Sequence, residues 1–407
     1  MPTDQMRFAS SIAEGQDPFS AAKKAIRQVL EQLEGRPCHA AFLFVSSLYG
    51  PKWEPIVKQI RQGLGNPLLL GCTGGGVLGV DEELEFTPAL SLAAAYLPRV
   101  ELHPFKVLPE NLEEANGPGF WIENLGASPS QDPVGILLPE PFSCDGMTLV
   151  AALQGAYPKM PLIGGLASGA DRSGGNALFF DDQIVQEGAV GILLTGDITL
   201  KTIVSQGCRP IGRSYIITKA QENVILELAG VPATEALRQL FLSLSEPDRA
   251  LAQRALFLGI VTDERKSEFH RGDFLIRNLI GIDPATGAIA VGDRIQVGQT
   301  VQFQLRDANT SREDLESLLK EQSKALQASP SKGALLFSCL GRGKDLYGEP
   351  HYDIRTIRSA IGACPIAGFF CNGEIGPIGG RNFVHGFTSS LGLFGPRSTA
   401  SSPRSGN

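Results

Sequence analysis

One pattern recurs three times along the chain and narrows the folds open to it: a short apolar strand, an amphipathic helical stretch, and a second apolar strand that breaks into glycine. In the first copy residues 40–45 are the strand, Ile56, Val57, Ile60 and Leu64 fall at helical spacing over 53–64, and LLLGCTGGG (68–76) is the strand ending in glycine. In the second, VGILLPEPF (134–142) precedes a helical stretch over 145–157 that aligns Leu149, Leu153 and Ala156, and PLIGGLASG (161–169) closes it. In the third, GALLFSCLGRG (333–343) is followed by Ile354, Ile357 and Ile361 on one helical face, then by PIAGFFCNGEIG (365–376). A further strand follows each copy, at 89–97, 188–196 and near 388–394. PLIGGLASG and PIAGFFCNG match at proline, apolar and both glycine positions without a gap, and LLLGCTGGG fits the same frame without the proline. About 30 residues separate the first strand of a copy from its glycine, enough for the helical crossover that a parallel pair requires. The expectation is an α/β protein of layered mixed sheets flanked by helices, in two domains built from repeated strand-loop-helix-strand units.

A length of 407 residues, 43% of them hydrophobic, exceeds what one compact core holds. Between the second and third copies the grammar changes. Residues 214–220 and 224–228 read as a strand pair, 232–244 as a helix, 256–261 as a strand, and Asp283 to Gly287 as a tight turn inside a β-rich block. Thr310 and Glu313 read as a capping box opening a helix over 312–326. The boundary falls near residue 230, giving domains 1–230 and 231–396 and a disordered tail, 397–407, rich in Ser, Pro, Gly and Arg.

A net charge of −7 and a pI near 5.4, with Lys and Arg scattered, supply no field for a phosphate backbone, so nucleic-acid binding is rejected. No apolar run reaches the ~18 residues that span a bilayer, and the first residues lack a signal-peptide core, so neither membrane insertion nor export is expected and the location is read as cytoplasmic. Seven widely spaced cysteines in such a chain are read as reduced thiols.

In open α/β sheets, ligands gather beyond the carboxyl ends of the strands, where short turns leave backbone N–H groups pointing outward. The candidate binding residues are therefore Cys72, Thr73, Gly74 and Gly75 of the first glycine turn and Cys371, Asn372, Gly373 and Glu374 of the third. Arg342, Arg381 and His385 join them: either arginine could clamp a carboxylate, and Glu374 could meet an ammonium. Each glycine also has the plainer reading of permitting positive φ or close packing, and each charge that of a surface residue. A rival reading makes Cys371 a nucleophile with His385 as base, or uses Cys72 with another partner; against it, a buried cysteine ordinarily packs as a small hydrophobe. Cys339, Cys364 and Cys371 lack zinc-ligand spacing, and no metal is expected.

The segment GFFCNGEIGPIGGRNFVHGFTS (368–389), with CLGRG (339–343), the DPATG turn and GCTGGG, resembles the FIST family, whose proteins pair an N-terminal with a C-terminal FIST domain. The resemblance covers nearly the whole chain. It implies a stand-alone intracellular sensory module without an enzymatic activity, binding a small ligand such as an amino acid or related carboxylate and signalling to a partner protein. Some members bind haem and sense nitric oxide, which would make His385 the axial ligand; otherwise no cofactor is implied. A protein-interaction scaffold and a cysteine-dependent hydrolase remain the alternatives.

Overall fold

A computed structural model describes residues 5–397. The first unit runs β1 (Arg7–Glu14), α1 (Pro18–Leu33), β2 (Ala40–Ser46), α2 (Trp53–Gly63), β3 (Leu68–Gly74), the hairpin β4 (Gly76–Gly79) and β5 (Glu82–Glu85), and β6 (Ala89–Tyr96). The second repeats it as β7 (Val100–Val107), α3 (Pro109–Glu114), α4 (Pro118–Leu125), β8 (Val134–Pro139), α5 (Gly146–Ala156), β9 (Leu162–Gly165), the hairpin β10 (Leu178–Phe180) and β11 (Gln183–Val185), and β12 (Ala189–Gly196). The third opens with β13 (Thr199–Ser205) and is then interrupted. The interruption comprises β14 (Cys208–Pro210), β15 (Tyr215–Gln221), β16 (Val224–Leu228), β17 (Val231–Pro232), α6 (Ala233–Ser243), α7 (Glu246–Ala255), β18 (Leu256–Val261), β19 (Phe274–Asp283), β20 (Ala288–Val291) and β21 (Thr300–Arg306). The unit resumes with α8 (Ala308–Ala328), β22 (Gly333–Cys339), α9 (Lys344–Tyr347), α10 (Tyr352–Ile361), β23 (Ile366–Cys371), the hairpin β24 (Glu374–Ile378) and β25 (Arg381–His385), and β26 (Ser389–Gly395).

In every unit the first two core strands are parallel, and at the same register point a leucine faces a glycine: Leu43 and Gly71, Leu137 and Gly164, Leu336 and Gly368. A Cβ at any of the three glycines would stand 1.8 Å from the facing leucine's carbonyl oxygen, so only glycine lets these strands approach. The hairpins are exchanged in a ring. Hairpin β4–β5 extends the third unit's sheet by pairing with β23, β10–β11 extends the first by pairing with β3, and β24–β25 extends the second by pairing with β9. Three six-stranded sheets of the same order result, β1-β6-β2-β3-β10-β11, β7-β12-β8-β9-β24-β25 and β13-β26-β22-β23-β4-β5. Residues on either side of position 230 therefore complete one another's sheets.

The central strands read as continuous apolar runs because both faces are buried. Phe42 and Phe44 of β2 enter a core shared by all three sheets, where Phe44 stacks on Phe369 at 5.0 Å, while Ala41, Leu43 and Val45 face α1 and α2. Helices α4 and α5 cover the second sheet and α8 and α10 the third. The interruption has its own core: β21, β15, β16, β20, β19 and β18 form a closed barrel, since β18 also pairs with β21, and α6 and α7 pack on it.

Three sequence expectations shift. The helix read from 312 begins at Ala308, because the Asp307 side chain accepts the Thr310 N–H and caps it in place of a Thr310–Glu313 box. The single strand read over 365–376 is two strands in different sheets, parted at Asn372 and Gly373. Arg397, the first residue of the expected tail, is held by Asp197, Ile198, Gln131 and Asp132, and the rest of 397–407 lies outside the described residues. No helix among the described residues is long and apolar enough to cross a membrane.

Candidate functional site

The ring of exchanged hairpins brings the three glycine turns to one place. Ser168, in the second turn, donates its N–H to Thr73 O at 3.1 Å and its hydroxyl to Phe370 O, and its Oγ accepts the Gly75 N–H at 2.9 Å. Leu166 and the third turn are bonded twice, Leu166 N–H to Gly373 O at 2.9 Å and Asn372 N–H to Leu166 O at 3.1 Å. The turns are thus hydrogen-bonded directly to one another. The open space lies to one side, against the third turn.

There a cleft of ≈ 280 Å³ is walled by Cys371, Asn372 and Gly373 of the turn, by His385, Gly386 and Phe387 beyond β25, by Ile276, Arg277 and Asn278 of β19 with Gly292, by Cys339 and Leu340, and by Met147 at the start of α5. The ring of three sheets and the closed barrel formed by β21, β15, β16, β20, β19 and β18 meet across it. Arg277 makes the junction: its Nε donates to Asp293 at 2.6 Å and its Nη1 to Val384 O at 3.1 Å, while Nη2 has no hydrogen-bond partner among the described residues. His385 is 3% exposed. Its Nε2 lies 2.8 Å from Gly376 O, and a carbonyl can only accept, so Nε2 carries the proton. Burial first, then the Arg277 charge, hold the imidazole down at about 4 against that hydrogen bond, so the ring is neutral at pH 7. Nδ1 is then a lone-pair acceptor, buried and without a partner among the described residues. Two residues that line the cleft thus each carry a polar atom unpaired among the described residues, a guanidinium N–H on Arg277 and a buried ring nitrogen on His385.

Of the residues expected from sequence, Cys371, Asn372, Gly373 and His385 line this cleft. Arg381 lines the adjoining groove of ≈ 490 Å³, which shares Arg277, Met147 and Val384 with the cleft, and its guanidinium rests over Phe383. Cys72, Thr73, Gly74 and Gly75 lie in the closed centre, where Thr73 Oγ1 accepts the Ala177 N–H at 3.1 Å. Burial pushes the Cys72 and Cys371 thiols well up, which opposes a nucleophilic thiolate at either. None of the seven cysteines is in a disulfide.

Arg342 is fully buried and faces protein on all sides. Its Nε and Nη2 grip the two Asp353 oxygens at 2.6 and 3.0 Å, and Tyr347 Oη completes the clamp. Burial acts against the charge and Asp353 outweighs it, so the guanidinium stays protonated. Glu83, from the exchanged hairpin of the first unit, lies beside this pair, and burial together with the Asp353 charge pushes its carboxyl up to about 8.

Glu374 is likewise turned inward. Its Oε2 accepts the Thr388 N–H and hydroxyl at 3.0 and 2.8 Å, and Oε1 has no partner among the described residues. Burial pushes the carboxyl from its ordinary 4.5 up to about 7, with the Thr388 bonds opposing. Between those two values the folded chain holds a proton that the unfolded chain has released, so stability falls as pH rises through that window. Glu374→Gln is permanently neutral and should flatten that fall, as read by urea melts at pH 5 and pH 8. A variant whose melts track the parent at both pH values would clear Glu374 of any part in it.

Sequence reasoning missed Arg277, Asn278, Gly292 and Met147, which come from the barrel and from α5. Arg277 did carry a signal: it follows Phe274, Leu275 and Ile276 in one apolar run, where a charge needs a partner. His385 Nε2 is occupied by Gly376 and its Nδ1 is buried, so neither ring nitrogen is presented for an axial iron and the residues present do not fit haem.

The chain belongs to the FIST family, residues 39–231 matching the FIST N domain and residues 233–377 the FIST C domain. FIST domains are generally sensory. An uncharacterized protein of Mycobacterium tuberculosis is 36% identical over 389 residues, covering 96% of this chain and 100% of its own length, and one of Mycobacterium bovis is 36% identical, covering 96% and 99%. Among solved structures, a cyanuric acid hydrolase from A. caulinodans aligns with a TM-score of 0.36 at 8% identity, covering 97% of this chain and 100% of that one. A second cyanuric acid hydrolase gives 0.33 at 9%, covering 96% and 100%. Likeness at that level carries no argument about chemistry.

Proposed function

We propose that this protein is a small-ligand sensor that binds an amino acid or a related small carboxylate in the cleft between ring and barrel and signals the bound state to a partner protein. The observation that carries this reading is a cleft of metabolite size lined both by Arg277, whose Nη2 has no hydrogen-bond partner among the described residues, and by His385, whose Nδ1 is a buried acceptor without one. A carboxylate answers the first and an ammonium or hydroxyl the second. Because the two groups belong to different bodies, a ligand touching both favours one placement of barrel against ring, and that difference is what a partner can read. The low-pKa thiol that a cysteine hydrolase needs is opposed by burial of Cys72 and Cys371.

A thermal-shift screen of amino acids and small carboxylates tests the proposal. A true ligand at a hundred times its dissociation constant adds about 2.7 kcal/mol. Arg277→Gln, folded by circular dichroism, should lose the shift. If no compound moves the parent protein, the small-ligand reading is wrong and a scaffold takes its place.

A further inference from the structure

Phe387 is also a wall of a second hollow, of ≈ 610 Å³. Phe257 packs tilted against it with ring centroids 4.5 Å apart, and the Arg306 guanidinium lies over it at 4.9 Å. Arg306 is the unexplained group. Its Nη2 donates to Gly341 O at 2.7 Å, but its Nε is buried without a hydrogen-bond partner, and it makes no ion pair among the described residues. A buried donor left without an acceptor is costly. Asp353 is committed to Arg342, and Glu374, whose carboxyl feels the Arg306 charge, makes no ion pair with it. Burial and the Arg342 charge both push Arg306 below its ordinary value, the opposite of what a resident carboxylate would do.

Two further donors border the same hollow. Arg254, exposed at its rim, has no carboxylate partner among the described residues. The first two N–H groups of α8, those of Ala308 and Asn309, have no helical acceptor, and the positive pole of this 21-residue helix lies at the hollow's edge. Two carboxylates also border it. Asp307 is occupied, with Oδ1 accepting the Thr310 N–H and Oδ2 3.9 Å from Arg209. Asp345 is exposed at the rim.

We propose that this hollow is a second ligand site, for a small phosphate-class dianion held by Arg306, Arg254 and the N-terminus of α8. Two guanidiniums and a helix pole outweigh the single uncommitted carboxylate, and donors drawn from the end of β21, from α7 and from the start of α8 suit the several oxygens of a phosphate better than the two of a carboxylate. The apolar floor of Leu251, Phe257 and Leu346 leaves room for the organic body of a phosphomonoester.

Isothermal titration of inorganic phosphate into the full chain at pH 8 and low salt tests the site. Saturable one-to-one binding is expected, at least tenfold weaker in Arg306→Gln and clearly weaker in Arg254→Gln. Asp345→Asn, which removes the uncommitted carboxylate, should bind more tightly. The two rim variants keep the test meaningful should Arg306→Gln fail to fold. The proposal is overturned by absence of saturable heat, by affinities unchanged in both rim variants, or by acetate competing as well as phosphate does. Loss of phosphate binding in Arg277→Gln but not in Arg306→Gln would place the anion in the first cleft and equally overturn it.

Discussion

Gly368→Ala should unfold the protein or leave it insoluble, and Gly71→Ala and Gly164→Ala should do the same. The added methyl would sit 1.8 Å from the oxygen of Leu336, Leu43 or Leu137, and that oxygen belongs to a backbone bonded into the middle of a sheet. A flexible side chain could swing away, but here two parallel strands must part, and the loss should exceed about 4 kcal/mol. Gly348→Ala is not a fair control, because its φ of 73° carries strain of its own. Gly119→Ala is: that residue has open space around its Cβ and ordinary φ, and it should cost well under 1 kcal/mol. Urea melts, or soluble yield where melts are impossible, give the comparison. Equal tolerance of the three core substitutions and Gly119→Ala would mean that the three units do not share the strand approach described above.

The second large effect is expected at Asp353. Truncation to Ala leaves the Arg342 guanidinium fully buried with Tyr347 Oη and the Phe387 carbonyl as its remaining partners. Breaking a buried pair from one side costs about 3–5 kcal/mol, since the surviving charge keeps its desolvation penalty. Replacing both residues, as Arg342→Met with Asp353→Leu, should recover much of that loss, because an apolar pair of similar volume carries no such penalty. Recovery would establish Arg342 as an internal tie between α10 and the turn after β22. If Asp353→Ala instead melted within about 1 kcal/mol of the parent, the pair would not hold the third unit together.

Much of the ring was legible because it is local. Parallel strands joined by a helix leave a clear trace in apolar spacing, and the matched glycines of PLIGGLASG and PIAGFFCNG marked the same physical event, a close approach to the preceding strand. The exchange of hairpins left no such trace, because which sheet a hairpin joins depends on where the other units sit. Edge strands were also silent: β7 contains Pro104 and alternates poorly, and β1 is dominated by small residues. At the site, Cys371, Asn372, Gly373 and His385 were visible as one dense segment. Their partner across the cleft, Arg277, lies about a hundred positions away in a barrel whose placement no local pattern encodes, and Arg342 and Glu374, which read as ligand contacts, turn inward to Asp353 and Thr388.

The most direct test is a crystal structure of the protein with the compound that gives the largest thermal shift. The ligand should lie between ring and barrel, with its carboxylate on Arg277 Nη2 and a donor group on His385 Nδ1. Density for the compound elsewhere, with that cleft empty, would contradict the account.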